Sequence, residues 1–337
     1  MKALTNIEEI FHVAFGYMAS KALFAALHLG IFDALAEGPK DLAALVEATE
    51  TEERGLTTLL TALTAVGLLE KGEAGWVNSP AAAESLVTGA PGDFGDYLRY
   101  QIDRQMYPFM HNLTDVLKGR RDTVPFENYE AWFRDAAEAT LYSESQHAAS
   151  VAPAMMLSAL ADLSQRRRLL DVGGGSGAFA ITLCGMHPQL STTILDFPNV
   201  LEVARKRVAA AGLESRIEFV AGNALTSEWP GSRDAVLFSY ISGSVSAEGV
   251  GELYRRAFAA LEPGGTVLIH DFMVDDDRTG PPLAAIWALQ HATFTPDAVS
   301  LTPGFVTDLL REIGFEGVSL APFIPGMTRL VQALKPG

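Results

Sequence analysis

Asp171, Gly173, Gly175 and Gly177 stand within LLDVGGGSGAFAITL, residues 169–183, where an apolar pair runs into an acid and then a glycine cluster. Glycine lets the backbone approach a ligand closely, and the N–H groups opening a following helix carry partial positive charge, so this turn suits a nucleotide. A loose Gly-x-Gly-x-x-Gly is weak ground for a dinucleotide, and the acid argues against one. Asp171 would meet a pyrophosphate with the wrong sign, whereas it suits the ammonium group of an amino-acid moiety. Other polar residues close later apolar runs: Asp196 in STTILDFP, Asn223 and Ala224 in RIEFVAGNA, Ser239 in DAVLFSY, His270 and Asp271 in GGTVLIHDF.

Histidines beside a carboxylate can do acid–base or metal chemistry. His270 and Asp271, with His291 of PPLAAIWALQHATF, make a ligand set for iron or zinc with open positions. Such an ion could chelate an α-keto acid and acidify its neighbouring carbon. Against this, adjacent strand residues point to opposite faces, so His270 and Asp271 need not converge. His147, in SESQHAAS, lies in a helical segment able to contact a substrate, and VDDDRTG after Asp271 reads as a solvated turn.

What must position these residues is a strand–helix alternation. RRLLDVGG, STTILDFP, RIEFVAGNA, DAVLFSY and GGTVLIHDF are separated by helical segments such as NVLEVARKRVAAAGL, the mark of a parallel sheet flanked by helices. Ligands of such sheets sit beyond the carboxyl ends of the strands. EGVSLAPFI and TRLVQALK, closely connected, read as an antiparallel pair at the sheet edge. The chain divides into residues 1–92, three helices and a small hairpin in a winged-helix-like dimerisation domain; 93–165, a helical linker with pocket-forming aromatics; and 166–337, the nucleotide domain. The helix TEERGLTTLLTALTAVGLL has one arginine and two glutamates, so it is a poor reader of a DNA groove, and its leucines suit a partner chain.

The 337 residues carry a net charge of −16, which repels polyanions and argues against nucleic acid as substrate. The single cysteine, Cys184, forbids an internal disulfide and reads as a small buried hydrophobe. The N-terminal stretch lacks a secretory pattern and no apolar run reads as membrane-spanning, so the expected location is cytoplasmic.

LLDVGGGSGAFA, ILDFPNV, VAGNAL and LEPGGTVLIHDFMVDDD, in this order after a winged-helix-like region, closely resemble the S-adenosylmethionine-dependent small-molecule O-methyltransferases over nearly the whole chain. The resemblance implies a class I methyltransferase fold, Rossmann-like α/β with a mostly parallel sheet and antiparallel edge strand, and a homodimer through a mainly α-helical N-terminal domain. By the same resemblance, Asp171, Gly173, Gly175 and Gly177 hold the methionine part of S-adenosylmethionine. Asp196 takes the ribose, with Asn223, Ala224 and Ser239 nearby. Asn223 stands where the family usually has an Asp at the adenine. The O-methylating members place a His-Asp pair after the fourth strand, the His acting as general base; here Gly243 and Ser244 take those places. A positioned base is worth ~10²–10⁴-fold, so its loss must be met elsewhere.

The substitutes are Asp271, which matches an acidic active-site position of the plant-like members, His291 and His147. Two routes stay open for a small aromatic or apolar acceptor of natural-product type: O-methylation of a phenol or enol, and metal-assisted C-methylation of an α-keto acid, the α-keto acid branch being metal-dependent. An amine acceptor needs no residue at the missing position. Alternatives of other classes are a non-methylating relative that keeps the cofactor and an NAD-dependent oxidoreductase. Ser242 and Ser244 either touch the substrate or cap the following helix.

Overall fold

The computed structural model describes residues 3–120, 122, 124, 126 and 128–337. The chain separates into two compact units, one ending at Gln105 and one beginning at Met106. This differs from the expected three-part division because the helix Ala136–Leu160 packs onto the sheet-flanking helices Ala178–Met186 and Pro198–Ala210.

In the first unit, α1 (Ile7–His28) opens at Asn6, whose side chain accepts from the Glu9 amide. After α2 (Ile31–Ala34), α3 (Leu42–Thr49) and α4 (Glu53–Ala65) come the hairpin strands β1 (Leu69–Gly72) and β2 (Gly75–Asn78), then α5 (Pro80–Ser85). Leu56, Leu60 and Leu63 of α4 recur at helical spacing and pack into the unit's core with Ile31, Phe32 and Leu45. These leucines, expected to face a partner, are interior residues. A run of exposed apolar side chains lies on α1: Ile7, Ile10, Phe11, Val13, Phe15 and Tyr17. By length and a mean hydropathy of 1.4, α1 is also apolar enough to cross a membrane, which the sequence reading did not anticipate.

In the second unit, α6 (Leu113–Leu117), α7 (Tyr129–Trp132) and α8 (Ala136–Leu160) precede the sheet. Its strands are β3 (Arg168–Val172), β4 (Ser191–Asp196), β5 (Ile217–Ala221), β6 (Arg233–Ser239), β7 (Leu261–Phe272), β8 (Glu316–Pro322) and β9 (Thr328–Leu334). Helices alternate with them: α9 (Ala178–Met186), α10 (Pro198–Ala210), α11 (Ala247–Ala260) and, between β7 and β8, α12 (Pro282–Phe294) followed by α13 (Pro303–Ile313). The order across the sheet is β5-β4-β3-β6-β7-β9-β8. All pairs are parallel from β5 to β7, and β9 runs antiparallel to both neighbours, one place in from the edge.

The sheet is buried on both faces. Leu170, Val172, Val236 and Phe238 pack with Leu253 and Tyr254 of α11, while Leu169, Leu237 and Leu268 pack with Leu157 of α8 and Leu183 of α9. Near-continuous apolar strands are the consequence. Cys184 is fully buried, as expected. The order reverses between β3 and β4 on one side and β6 on the other, and a ligand cleft opens at such a switch point, beyond the strands' carboxyl ends.

Candidate active site

A cleft of about 1260 Å³, counted to its open mouth, lies above the ends of β3, β4, β5 and β6. Asp171, Gly173, Gly175, Asp196, Asn223, Ala224 and Ser239 all line it, together with Tyr129, Glu130, Phe133 and Tyr142 from the α7–α8 segment. The glycine turn is built for close approach. Gly173, Gly175 and Gly177 have φ of +69°, +57° and +79°, where a side chain is strained. A Cβ on Gly174 would lie 2.7 Å from Asp171 Oδ2, so this turn cannot thicken without colliding with the acid.

Asp171 is 1% exposed, and its Oδ2 has no hydrogen-bond partner among the described residues. Burial, and then the charge of Asp196, push its carboxyl up to about 7. A buried carboxyl with one oxygen left unpaired, in a glycine cradle, fits an ammonium group. Asp196 accepts from the amides of Gly175 at 2.8 Å and Phe197 at 2.7 Å, which ties the end of β4 to the glycine turn. Burial raises it to about 6 despite those bonds. The residues present therefore fit S-adenosylmethionine: an acid for its amino group, a second acid one strand over, and a roomy open-ended cleft.

Asn223 uses its amide fully as a connector. Its Oδ1 accepts from the Leu225 amide at 2.9 Å and its Nδ2 donates to Glu130 Oε2 at 2.6 Å. The Ala224 carbonyl accepts from Trp229 Nε1 at 2.9 Å.

His270 and Asp271 point to opposite faces of β7. His270 is fully buried, with Nδ1 bonded to Ser239 Oγ at 2.9 Å and Nε2 to Thr328 Oγ1 at 3.0 Å, between the rings of Tyr240 and Phe323. Burial lowers it to about 3, so it is neutral. Asp271 Oδ2 accepts from the Gly243 amide at 2.9 Å and Oδ1 from the Phe272 amide at 2.8 Å. Its carboxyl, 1% exposed, is pushed by burial to about 7.

The expected iron or zinc triad of His270, Asp271 and His291 is therefore not assembled. Both ring nitrogens of His270 and both oxygens of Asp271 serve protein groups, and among the described residues no three His, Cys, Asp or Glu side chains are placed to hold a metal ion.

His291 and Asp271 do meet, at Gly243. A Cβ built on Gly243 would stand 3.3 Å from Asp271 Oδ1 and 3.6 Å from His291 Cε1. His291 is 7% exposed, edge-on to Trp287 and Phe294, and hydrogen-bonds the Gly243 backbone. Burial outweighs that bond and lowers the imidazole to about 4. It is a neutral ring whose second nitrogen can accept a proton.

Gly177, His147, Asp271 and His291 do not line the cleft itself; Asp271 and His291 lie behind its wall at Gly243, and His147 sits by the glycine turn. His147 Nδ1 bonds Ser176 Oγ of that turn at 2.9 Å, and burial with the Arg207 charge lowers the imidazole to about 4. Ser242 accepts from the Tyr254 hydroxyl at 3.0 Å, Ser244 donates to the Ile241 carbonyl at 2.7 Å, and the cap of α11 is Ser246. Sequence reasoning missed Glu130 and Tyr240. Tyr240 lines the cleft with φ +60°, an uncommon conformation for a bulky residue, and meets His270 edge to face. Glu130 gave a faint signal, an acid inside the aromatic run FENYEAWF.

Residues 110–316 match the family model of an O-methyltransferase domain, and residues 11–88 that of an O-methyltransferase dimerisation domain. A 3-hydroxy-5-methyl-1-naphthoate 3-O-methyltransferase of Streptomyces sahachiroi is 34% identical over 96% of this chain and 94% of its own length. The crystal structure of human N-acetylserotonin methyltransferase in complex with SAM superposes with a TM-score of 0.89 at 25% identity, covering 100% of both chains. The S-adenosylmethionine-dependent methyltransferase SibL, in its apo form, superposes with a TM-score of 0.79 at 31% identity, covering 98% of this chain and 100% of that one.

Proposed function

Because the chain belongs to the O-methyltransferase family and is an S-adenosylmethionine-dependent methyltransferase, we propose that it methylates a phenolic hydroxyl of a small aromatic metabolite, with His291 as the proton acceptor. The observation that carries the reading is the place of His291. A neutral imidazole fills the space beside Gly243, where the family's usual His would project.

S-adenosylmethionine supplies a sulfonium methyl carbon open to in-line displacement. The chain has three tasks around it. Asp171, ionised, would fix the ammonium end and Asp196 would accept from the ribose hydroxyls, which holds the reactive carbon in one place. Tyr240, Ile241 and Val245 line the cleft beside the turn at Gly243 and suit a planar apolar acceptor. His291 takes the phenolic proton, while Asp271 holds the turn at Gly243 through its backbone bonds. Phenols ionise more readily than alcohols, which lessens the demand on a base displaced onto α12.

The naphthoate relative supports a fused-ring phenol as the acceptor class. The enolisable keto-acid route loses its support with its ligand set. A homodimer through the first unit agrees with the dimerisation-domain match and gives the exposed apolar side chains of α1 a partner. The test is incubation with S-adenosylmethionine and a panel of hydroxynaphthoates, simple phenols, arylamines and aryl α-keto acids, with products resolved by mass spectrometry and NMR. An aryl methyl ether is expected; a methylated carbon or nitrogen as the main product sinks the proposal.

A further inference from the structure

We infer that Glu130, on α7, is the acceptor that reads the exocyclic amine of the cofactor's adenine, a role moved there from position 223. The inference rests on the cofactor lying along the cleft as proposed above.

Position 223 follows β5, next to β4 and its Asp196, and the side chain there meets Glu130 of α7 at the cleft wall. An Asp at 223 would leave two carboxyl groups in direct contact, since Asn223 Nδ2 and Glu130 Oε2 are only 2.6 Å apart. Two carboxylates that close cannot both be ionised. Asn223 resolves the conflict by turning an N–H toward Glu130. The result is one negative charge at this end of the cleft, carried by Glu130. Its Oε2 accepts from Asn223, and among the described residues its Oε1 accepts nothing.

The short helix that carries Glu130 is anchored at three places. Asn128 caps α7 through the Ala131 amide at 2.9 Å. Asn199, at the start of α10, donates to the carbonyls of Phe133 at 2.9 Å and Arg134 at 3.2 Å. Tyr129 and Phe133 pack on Tyr142 of α8. A carboxylate acceptor fixed at the cleft wall selects an amine donor and rejects a carbonyl oxygen, because the latter would leave two acceptors facing each other.

Calorimetry of S-adenosylhomocysteine and S-inosylhomocysteine, whose purine bears a carbonyl in place of the amine, tests this on the full chain. The parent should prefer the adenosyl ligand by at least ~10²-fold, and Glu130→Gln should cut that preference by at least ~10-fold. Asn223→Asp should weaken S-adenosylhomocysteine binding by ~10-fold or more, and Glu130→Gln combined with Asn223→Asp should recover most of the loss, a reversal that misfolding would not produce. An unchanged preference in Glu130→Gln, or no recovery in the double variant, overturns the inference. Asp196→Asn is the control on the underlying reading: if it leaves S-adenosylhomocysteine binding intact, the cofactor does not lie along this cleft and both statements fall.

Discussion

A methyl group placed on Gly243 would touch Cε1 of His291 at 3.6 Å and Asp271 Oδ1 at 3.3 Å. There is room for that methyl and little more. An imidazole at 243 and one at 291 would therefore compete for one volume.

Gly243→His alone should lower activity by at least ~10-fold, because the new ring overpacks the site and displaces His291. Gly243→His with His291→Ala should be more active than either single variant. Initial rates with the preferred phenol decide it; additive losses would mean that the two positions do not share a space.

His291→Ala should reduce kcat by ~10²–10⁴-fold while leaving cofactor affinity nearly unchanged. The defect should shrink on phenols carrying electron-withdrawing groups, which ionise without help. A uniform loss across phenols of different acidity would assign His291 to packing and not to proton transfer.

Cofactor affinity should rise with pH between 5.5 and 7.5. In the free protein Asp171 titrates near 7, and it must be ionised to hold an ammonium group. Binding at pH 6 should accordingly release protons, visible in calorimetry as an enthalpy that varies with the buffer. A pH-independent affinity with no proton release would show that Asp171 does not face a cation.

Asp171→Asn should stabilise the cofactor-free protein at pH 8 and abolish cofactor binding. A carboxyl raised from 3.8 to about 7 is protonated in the fold and ionised in the unfolded chain between those values, so stability falls as pH rises through that window and is flat above it. At pH 8 the burden reaches about 4 kcal/mol. A thermal melt in which the variant unfolds below the parent at pH 8 would contradict this.

The buried histidines act in the opposite direction. His147, His270 and His291 are neutral in the fold down to about 4, 3 and 4, against an ordinary value of 6.5. Their contribution is present above 6.5 and is lost as pH falls toward 4. His270→Leu should thus flatten the acid side of the stability profile while lowering stability at pH 7, since Ser239 and Thr328 lose a buried partner. An unchanged slope between pH 6 and 4 would refute it.

The parallel strands and the glycine turn were legible in the sequence because both faces of the sheet are covered, which writes apolar runs, and because the turn requires φ values that favour glycine. Asp171 and Asp196 could be read for the same reason: each lies at the carboxyl end of a buried strand. The destination of His270 was harder to read, since nothing local says that Thr328, 58 residues later, lies on the neighbouring strand. The leucines of α4 misled because a helix shows its apolar face equally to its own core and to a partner. Glu130 left only a faint trace for a related reason, as its meaning depends on Asn223, 93 residues away.

The placement of β9 bears on how the chain comes off the ribosome. It is later in sequence than every other strand, yet it fills the gap between β7 and β8. A nascent chain that has emerged only through β8 leaves the backbone edge of β7 bare, a template for pairing with another chain. Thr328, the first residue of that late strand, also completes the hydrogen bonds of His270 beneath Ser239 and Tyr240. The floor of the cleft and the protection of the sheet are thus finished in one and the same step of synthesis.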